Sequence, residues 1–171
     1  NPLSQDEVRH IISGKTVIGP AREIQEVKNA YMAYDMLGRF DPYALSDLKK
    51  MHAVMTALTV EESGVFRSGN EGVFRDGKCI FIAPPPHLVP QLMKSLFGWM
   101  NEVRWSMPAL ILSSVFHYEF VFIHPFSDGN GRMARLWQTA LLAEWRPIFQ
   151  YMPIESSIHA FQDEYYGAIA A

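Results

Sequence analysis

The chain has 171 residues, 49% of them hydrophobic and 19% charged, a balance that gives one globular domain with a single sizeable core and excludes a disordered chain. A net charge of −3 offers no general basic surface for nucleic acid, so an anionic ligand would need a local cluster of cations. The only cysteine, Cys79, excludes an intrachain disulfide and a cysteine-based zinc site, and fits a cytoplasmic location.

In chain order, Ser4 with Glu7 three positions later has the spacing of a capping box, which predicts a helix to about Ser13 ended by Gly14. No signal peptide is visible, and a first residue other than methionine leads us to expect an upstream segment. After Pro20 a second helix is predicted as far as Gly38, with Ile24, Val27, Tyr31 and Tyr34 on its inner face. A third should start near Ser46 and bury Leu48, Met51 and Met55. Asp76-Gly77 lies between GVFR and KCIFI, a hairpin signal. A helix from about Pro90 should turn Leu92, Leu96 and Met100 inward, and Pro108 should open the next. That next stretch, 107–123, is apolar but contains Ser113, Ser114, His117 and Glu119. It is too short and too polar for a membrane span, so it reads as a buried helix and no membrane partner is expected. Helices over about 131–145 and 158–168 complete an all-α architecture with one small β-hairpin.

The stretch HPFSDGNGRMAR, residues 124–135, interrupts the apolar pattern with dense polar chemistry. A residue before proline avoids helical geometry, so the preceding helix should end at His124. A lone histidine there is ordinarily a C-cap, and helix-end carbonyls would favour its protonated form. Gly129, Asn130 and Gly131 form a turn whose successive N–H groups can hold an anion, and the helix that starts there adds its dipole. Arg132 and Arg135, three positions apart, place two guanidinium groups on the same side and suit a polyphosphate. Asp128 would repel such a ligand unless it held Mg²⁺ between them. Phe126, between polar residues, reads as an inward anchor. As a calcium loop the stretch fails, because Arg132 and Met133 occupy the next ligand position and the required glycine; no His-Glu-x-x-His occurs either.

This stretch resembles the signature of the Fic (filamentation induced by cAMP) family, His-x-Phe-x-[Asp/Glu]-Gly-Asn-Gly-Arg-x-x-Arg, at every fixed position. FHYEFVFI is similar to the helix ahead of that signature, the Gly-rich hairpin before APPP to the family's flap, and DEYYGAI to its last helix. The resemblance implies a Fic-type helical bundle spanning 1–171 and a protein adenylyltransferase that moves AMP from ATP to a Ser, Thr or Tyr hydroxyl of a target protein. It implies His124 as the base, Asp128 as the Mg²⁺ ligand, and Gly129, Asn130, Gly131, Arg132 and Arg135 as phosphate-binding residues. Tyr166 corresponds to an adenine contact, with Tyr165 beside it as a second candidate, although aromatics on a terminal helix are commonly core. Ile80, Phe81 and Ile82 correspond to the flap that clamps an extended target segment, with a plain surface hairpin as the alternative.

Gly131 stands where the Doc-type kinase toxins of the wider family carry lysine, which disfavours phosphate transfer here. Phosphocholine transfer is not excluded by the signature, and a non-catalytic nucleotide- or peptide-binding module is a further alternative. Many relatives carry an inhibitory helix, [Ser/Thr]-x-x-x-Glu-[Gly/Asn], and no Ser or Thr in this chain has Glu four positions later. The chain is therefore expected to be a catalytic core lacking its brake and active with MgATP, the inhibitory helix coming from upstream residues or from another chain.

Overall fold

In the computed structural model, which describes residues 3–75, 78–152, 154, 158 and 160–170, the capping box forms as its spacing predicts. Glu7 N–H donates to Ser4 Oγ, Ser4 N–H donates back to Glu7 Oε2 at 2.7 Å, and α1 runs Gln5–Ile12. Helix α2, Ala21–Asp35, starts behind Pro20. Its inner face differs from the expected one: Val27, Asn29 and Ala33 are buried, whereas Tyr31 is 49% exposed. The cause is Asn29, which donates to Ala57 O at 2.7 Å and accepts from Gln25 at 2.8 Å, so a polar residue takes an inward place. Helix α3, Leu45–Met55, buries Leu48, Met51 and Met55 as predicted.

Strands β1, Gly72–Arg75, and β2, Lys78–Ile82, form an antiparallel two-stranded sheet. Gly72 pairs with Ile82 and Val73 with Phe81; after an irregularity at Val73–Phe74, Phe74 pairs with Cys79 and Arg75 with Lys78. The Asp76-Gly77 turn lies outside the described residues. A 3₁₀ turn, Pro86–Leu88, leads into α4, Val89–Val103. Then follow α5, Ala109–Ile123, α6, Asn130–Trp145, a second 3₁₀ turn, Pro147–Tyr151, and α7, Gln162–Ala170. Residues 158 and 160, where the last helix was expected to start, are helical, and α7 follows after a turn at 161; residues 153, 155–157 and 159 are outside the description. The all-α reading with one hairpin holds, with seven α-helices among the described residues.

The core lies where α5 packs on α6 and α4, with α3 closing one side. Phe116, Phe120, Met93, Met100, Met133 and Leu136 are fully buried there, each worth about 1.5–3 kcal/mol of transfer free energy. Trp137 fills the centre: it stacks on Phe40 at 4.9 Å and donates its indole N–H to Pro42 O at 2.9 Å, so its one polar atom is satisfied. Helix α5 is not buried all round, as its apolar sequence suggested. Ile111, Val115, Tyr118 and Phe122 are exposed because α4 and α6 cover only the opposite face. Phe81 of the hairpin packs on Phe122, ring centroids 5.2 Å apart, so β2 lies alongside the end of α5. Among the described residues no helix is long and apolar enough to cross a membrane.

Candidate functional site

Helix α5 stops where His-Pro stops it. His124 takes a left-handed conformation, φ 50° and ψ 59°, and its N–H closes the helix on Phe120 O at 3.0 Å. Two residues on, Phe126 points into the core with no exposed surface and packs against Phe66 and Phe120. Asn130 fixes this anchor with both ends of its amide: Phe126 N–H donates to Asn130 Oδ1 at 2.9 Å, and Asn130 Nδ2 donates to Phe126 O at 2.7 Å. The Asn130 side chain therefore faces inward, and only its backbone N–H is left to meet a ligand. Gly129, φ 81°, makes the left-handed turn into α6, and a Cβ there would approach Thr56 Cγ2 to 3.0 Å.

The hydrogen-bond ladder of α6 begins with Met133 N–H donating to Gly129 O at 2.9 Å. The N–H groups of Asn130, Gly131 and Arg132 precede that ladder, and with the helix dipole they favour an anion. Arg135 stands over the same end of the helix, since a Cβ at Gly131 would lie 3.3 Å from its Nη1. Arg132, half-buried, lies 3.5 Å from Asp128 Oδ1 and 3.8 Å from Glu26. Asp128 also receives Arg22 Nη2 at 2.8 Å on its other oxygen, and Arg22 bonds Glu26 at 3.2 Å. Helix α2 thus brings two residues to the loop that the sequence did not connect with it.

His124 Nδ1 lies 3.3 Å from Val121 O. Only an N–H can meet a carbonyl, so Nδ1 carries the hydrogen and Nε2 keeps its lone pair. Its pKa is lowered, first by burial; the Val121 carbonyl opposes this but does not win. That corrects the expectation of a raised value at a helix C-terminus. The imidazole is neutral at pH 7.

The remaining sites are placed less closely around the turn. Tyr165 has its hydroxyl 2.7 Å from His117 Nε2, with the two rings edge to face, so His117 ties α5 to α7. The side chains of Tyr166 and Ile80 are outside the described residues. Phe81 leans on α5, and Ile82 is 74% exposed at the base of the hairpin.

His52, which belongs to no motif in the sequence, is part of the site. It is fully buried, stacks on Phe126 with centroids 3.6 Å apart, and accepts Gly64 N–H at Nδ1, 2.9 Å. Nε2–H therefore donates to Asp128 O at 3.0 Å and holds the turn from below. Its position was readable: with Leu48 and Met55 it forms an i, i+4, i+7 stripe on α3, and a polar residue on such a stripe must have partners.

Two buried histidines, His52 and His117, and the half-buried His124 give the fold an acid-sensitive slope. The pKa of His117 is lowered to about 4 by burial first and by nearby Arg135 second; those of His52 and His124 are lowered chiefly by burial. Unfolded, each binds a proton near 6.5. Stability is then fully present above pH 6.5 and falls as pH drops toward 4, by about 3 kcal/mol for His117 alone. Urea unfolding midpoints measured from pH 7.5 to 4 should decline across this window, and His117→Gln, with no imidazole to titrate, should flatten the decline.

Residues 42–142, more than half of the chain, match the model of the Fic/DOC family. The chain is 28% identical to "Protein adenylyltransferase fic-1" of Caenorhabditis elegans over 99% of its own length and 33% of that protein. It is 34% identical to "Protein adenylyltransferase Fic" of Culex quinquefasciatus over 80% of its length and 27% of that protein. A crystal structure of a Fic family protein from Desulfovibrio desulfuricans superimposes with a TM-score of 0.92 at 43% identity, covering 99% of this chain and 51% of that one. The chain thus spans about a third or less of these curated relatives and half of that solved chain.

Proposed function

Because the chain belongs to the Fic/DOC family, we propose that it is a protein adenylyltransferase that moves AMP from ATP to a Ser, Thr or Tyr hydroxyl of a target protein. The observation that carries this reading is a neutral imidazole, Nε2 lone pair available, beside a helix N-terminus whose first three N–H groups lie outside the ladder. His124 Nε2 takes the proton of the acceptor hydroxyl, a contribution of about 10²–10⁴ in rate. The hydroxyl oxygen forms a bond to the α-phosphorus as the bond from that phosphorus to the bridging oxygen breaks, and pyrophosphate departs with the electron pair. The N–H groups of Asn130 and Gly131 stabilise phosphate charge, and Arg132 and Arg135 neutralise the leaving group.

Mg²⁺ is held in proteins through one or two carboxylates plus substrate phosphates, not by an all-protein cage. Asp128 fits that role: it is a single, half-exposed carboxylate at the rim of the phosphate seat, and no cluster of three ligating side chains exists among the described residues. When bound, the ion would supply positive charge to the phosphates. Arg22 and Arg132 hold the Asp128 carboxylate at the turn. Among the described residues the hairpin is a sheet of two strands only, which supports addition of an extended target segment as a third strand.

ATP labelled at the α- or at the γ-phosphate, incubated with the chain and acceptor protein from a cell extract, tests the proposal. Protein label from the α position alone is expected. Label from γ would indicate a kinase, label from a choline-bearing donor a phosphocholine transferase, and no label from any donor a binding module.

A further inference from the structure

Arg67 is buried, 3% exposed, and bonds no carboxylate among the described residues; all its partners are backbone carbonyls. Nε–H donates to His124 O at 2.7 Å, and one Nη2 hydrogen reaches Ile123 O at 3.3 Å. Its own backbone N–H donates to Pro125 O at 3.0 Å. One residue thus satisfies three successive carbonyls of the segment that carries His124. The other side of the same guanidinium donates to Gly69 O at 2.8 Å and to Pro84 O. Gly69 precedes β1 and Pro84 follows β2, so these are the two legs of the hairpin.

Resting on the reading of His124 as the base, we infer that Arg67 is a positioning residue that locks the left-handed backbone of His124 and ties both legs of the flap to it. Three physical points support this. The last carbonyls of a helix have no ladder donors, and a cation at the negative end of the dipole is favourable. A left-handed conformation at a residue with a Cβ costs about 1–2 kcal/mol and persists only where its surroundings hold it. A planar guanidinium with a fixed fork can meet carbonyls on two sides at once, and a lysine ammonium cannot. The geometry therefore makes the hairpin and the base one unit: a target segment seated on the hairpin is registered against His124 through a single side chain.

Arg67→Lys, which keeps the charge but loses the fork, is the test, with Arg67→Gln as a second variant. Both are compared with wild type by amide hydrogen exchange, by the nitrogen resonances of His124 in ¹⁵N-histidine-labelled protein, and by AMP transfer. In Arg67→Lys, amides of 72–75 and 78–82 are expected to exchange at least tenfold faster while those of α2 and α3 keep their wild-type rates. The His124 ring should lose its single tautomer. Transfer should fall about 10²-fold in kcat, the size of effect a displacement of about 1 Å produces, with KM for ATP within a few-fold. A folded Arg67→Lys or Arg67→Gln protein with wild-type hairpin exchange and an unchanged His124 ring overturns the inference. So does acceleration spread evenly over all helices, which is the mark of general destabilisation. Should neither variant fold, Arg67 Nε–H exchange in the wild type decides: in step with the hairpin amides it supports the tie, in step with the α5–α6 core it overturns it. If wild type transfers no AMP, the adenylyltransferase proposal fails, and the exchange and ring measurements still decide the role of Arg67.

Discussion

His124→Ala is expected to lower AMP transfer by about 10²–10⁴ while leaving affinity for MgATP within a few-fold of wild type. The separation follows from where the parts of the site sit. In the proposed mechanism phosphate meets the N–H groups at the start of α6 and Arg132 and Arg135, none of which depends on the imidazole. The imidazole keeps only the acceptor's proton, and it is ready for it: the Val121 carbonyl holds the hydrogen on Nδ1, and burial keeps the ring neutral. Isothermal titration with a non-hydrolysable ATP analogue, beside a transfer assay with α-labelled ATP, reads both quantities. Loss of binding in step with transfer would show that His124 seats the nucleotide and is not the base. The direction of the pH profile follows from the same residue: transfer by wild type should hold above pH 6.5 and fall as acid protonates the half-buried ring.

Phe126→Ala is expected to cost about 3–5 kcal/mol of stability, the range for deleting a buried aromatic ring. The ring has no exposed surface, stacks on His52 at 3.6 Å and touches Phe66 and Phe120, so its removal opens a cavity beneath the turn. Its backbone is also what the Asn130 amide grips. Urea unfolding would measure the loss. Phe126→Leu, which refills most of the space, should lose less and recover part of the transfer activity. A loss below about 1 kcal/mol in Phe126→Ala would mean that the turn is held by its hydrogen bonds alone.

What could be read from the sequence was what neighbours in the chain decide. The capping box at Ser4, the stop at His124-Pro125, the turn at Gly129 and the inner face of α3 depend on residues a few positions apart, and each formed as its spacing predicts. The signature stretch is continuous, so its residues arrive together at one loop whatever the rest of the chain does. What escaped is what the fold brings from afar. Arg22 reaches Asp128 across 106 positions and Arg67 reaches His124 across 57. Arg67, His52 and Asn29 moreover bond backbone carbonyls, and a carbonyl has no identity in a sequence. The His124 pKa departs from its local expectation for a related reason: the helix end is local and readable, but the burial that outweighs it is a product of tertiary packing. The apolar run of α5 likewise showed that it is a helix without showing which side the bundle would leave open.

In the proposed mechanism the turn at 129–131 seats the phosphates of ATP with the α-phosphorus toward His124. A crystal structure of the chain with Mg²⁺ and a non-hydrolysable ATP analogue tests it most directly. Phosphate oxygens are expected on the N–H groups of Asn130 and Gly131, with the α-phosphorus nearest His124 Nε2 and the terminal phosphate toward Arg135. A nucleotide bound away from this turn, or bound in reverse with its terminal phosphate beside Nε2, would contradict it.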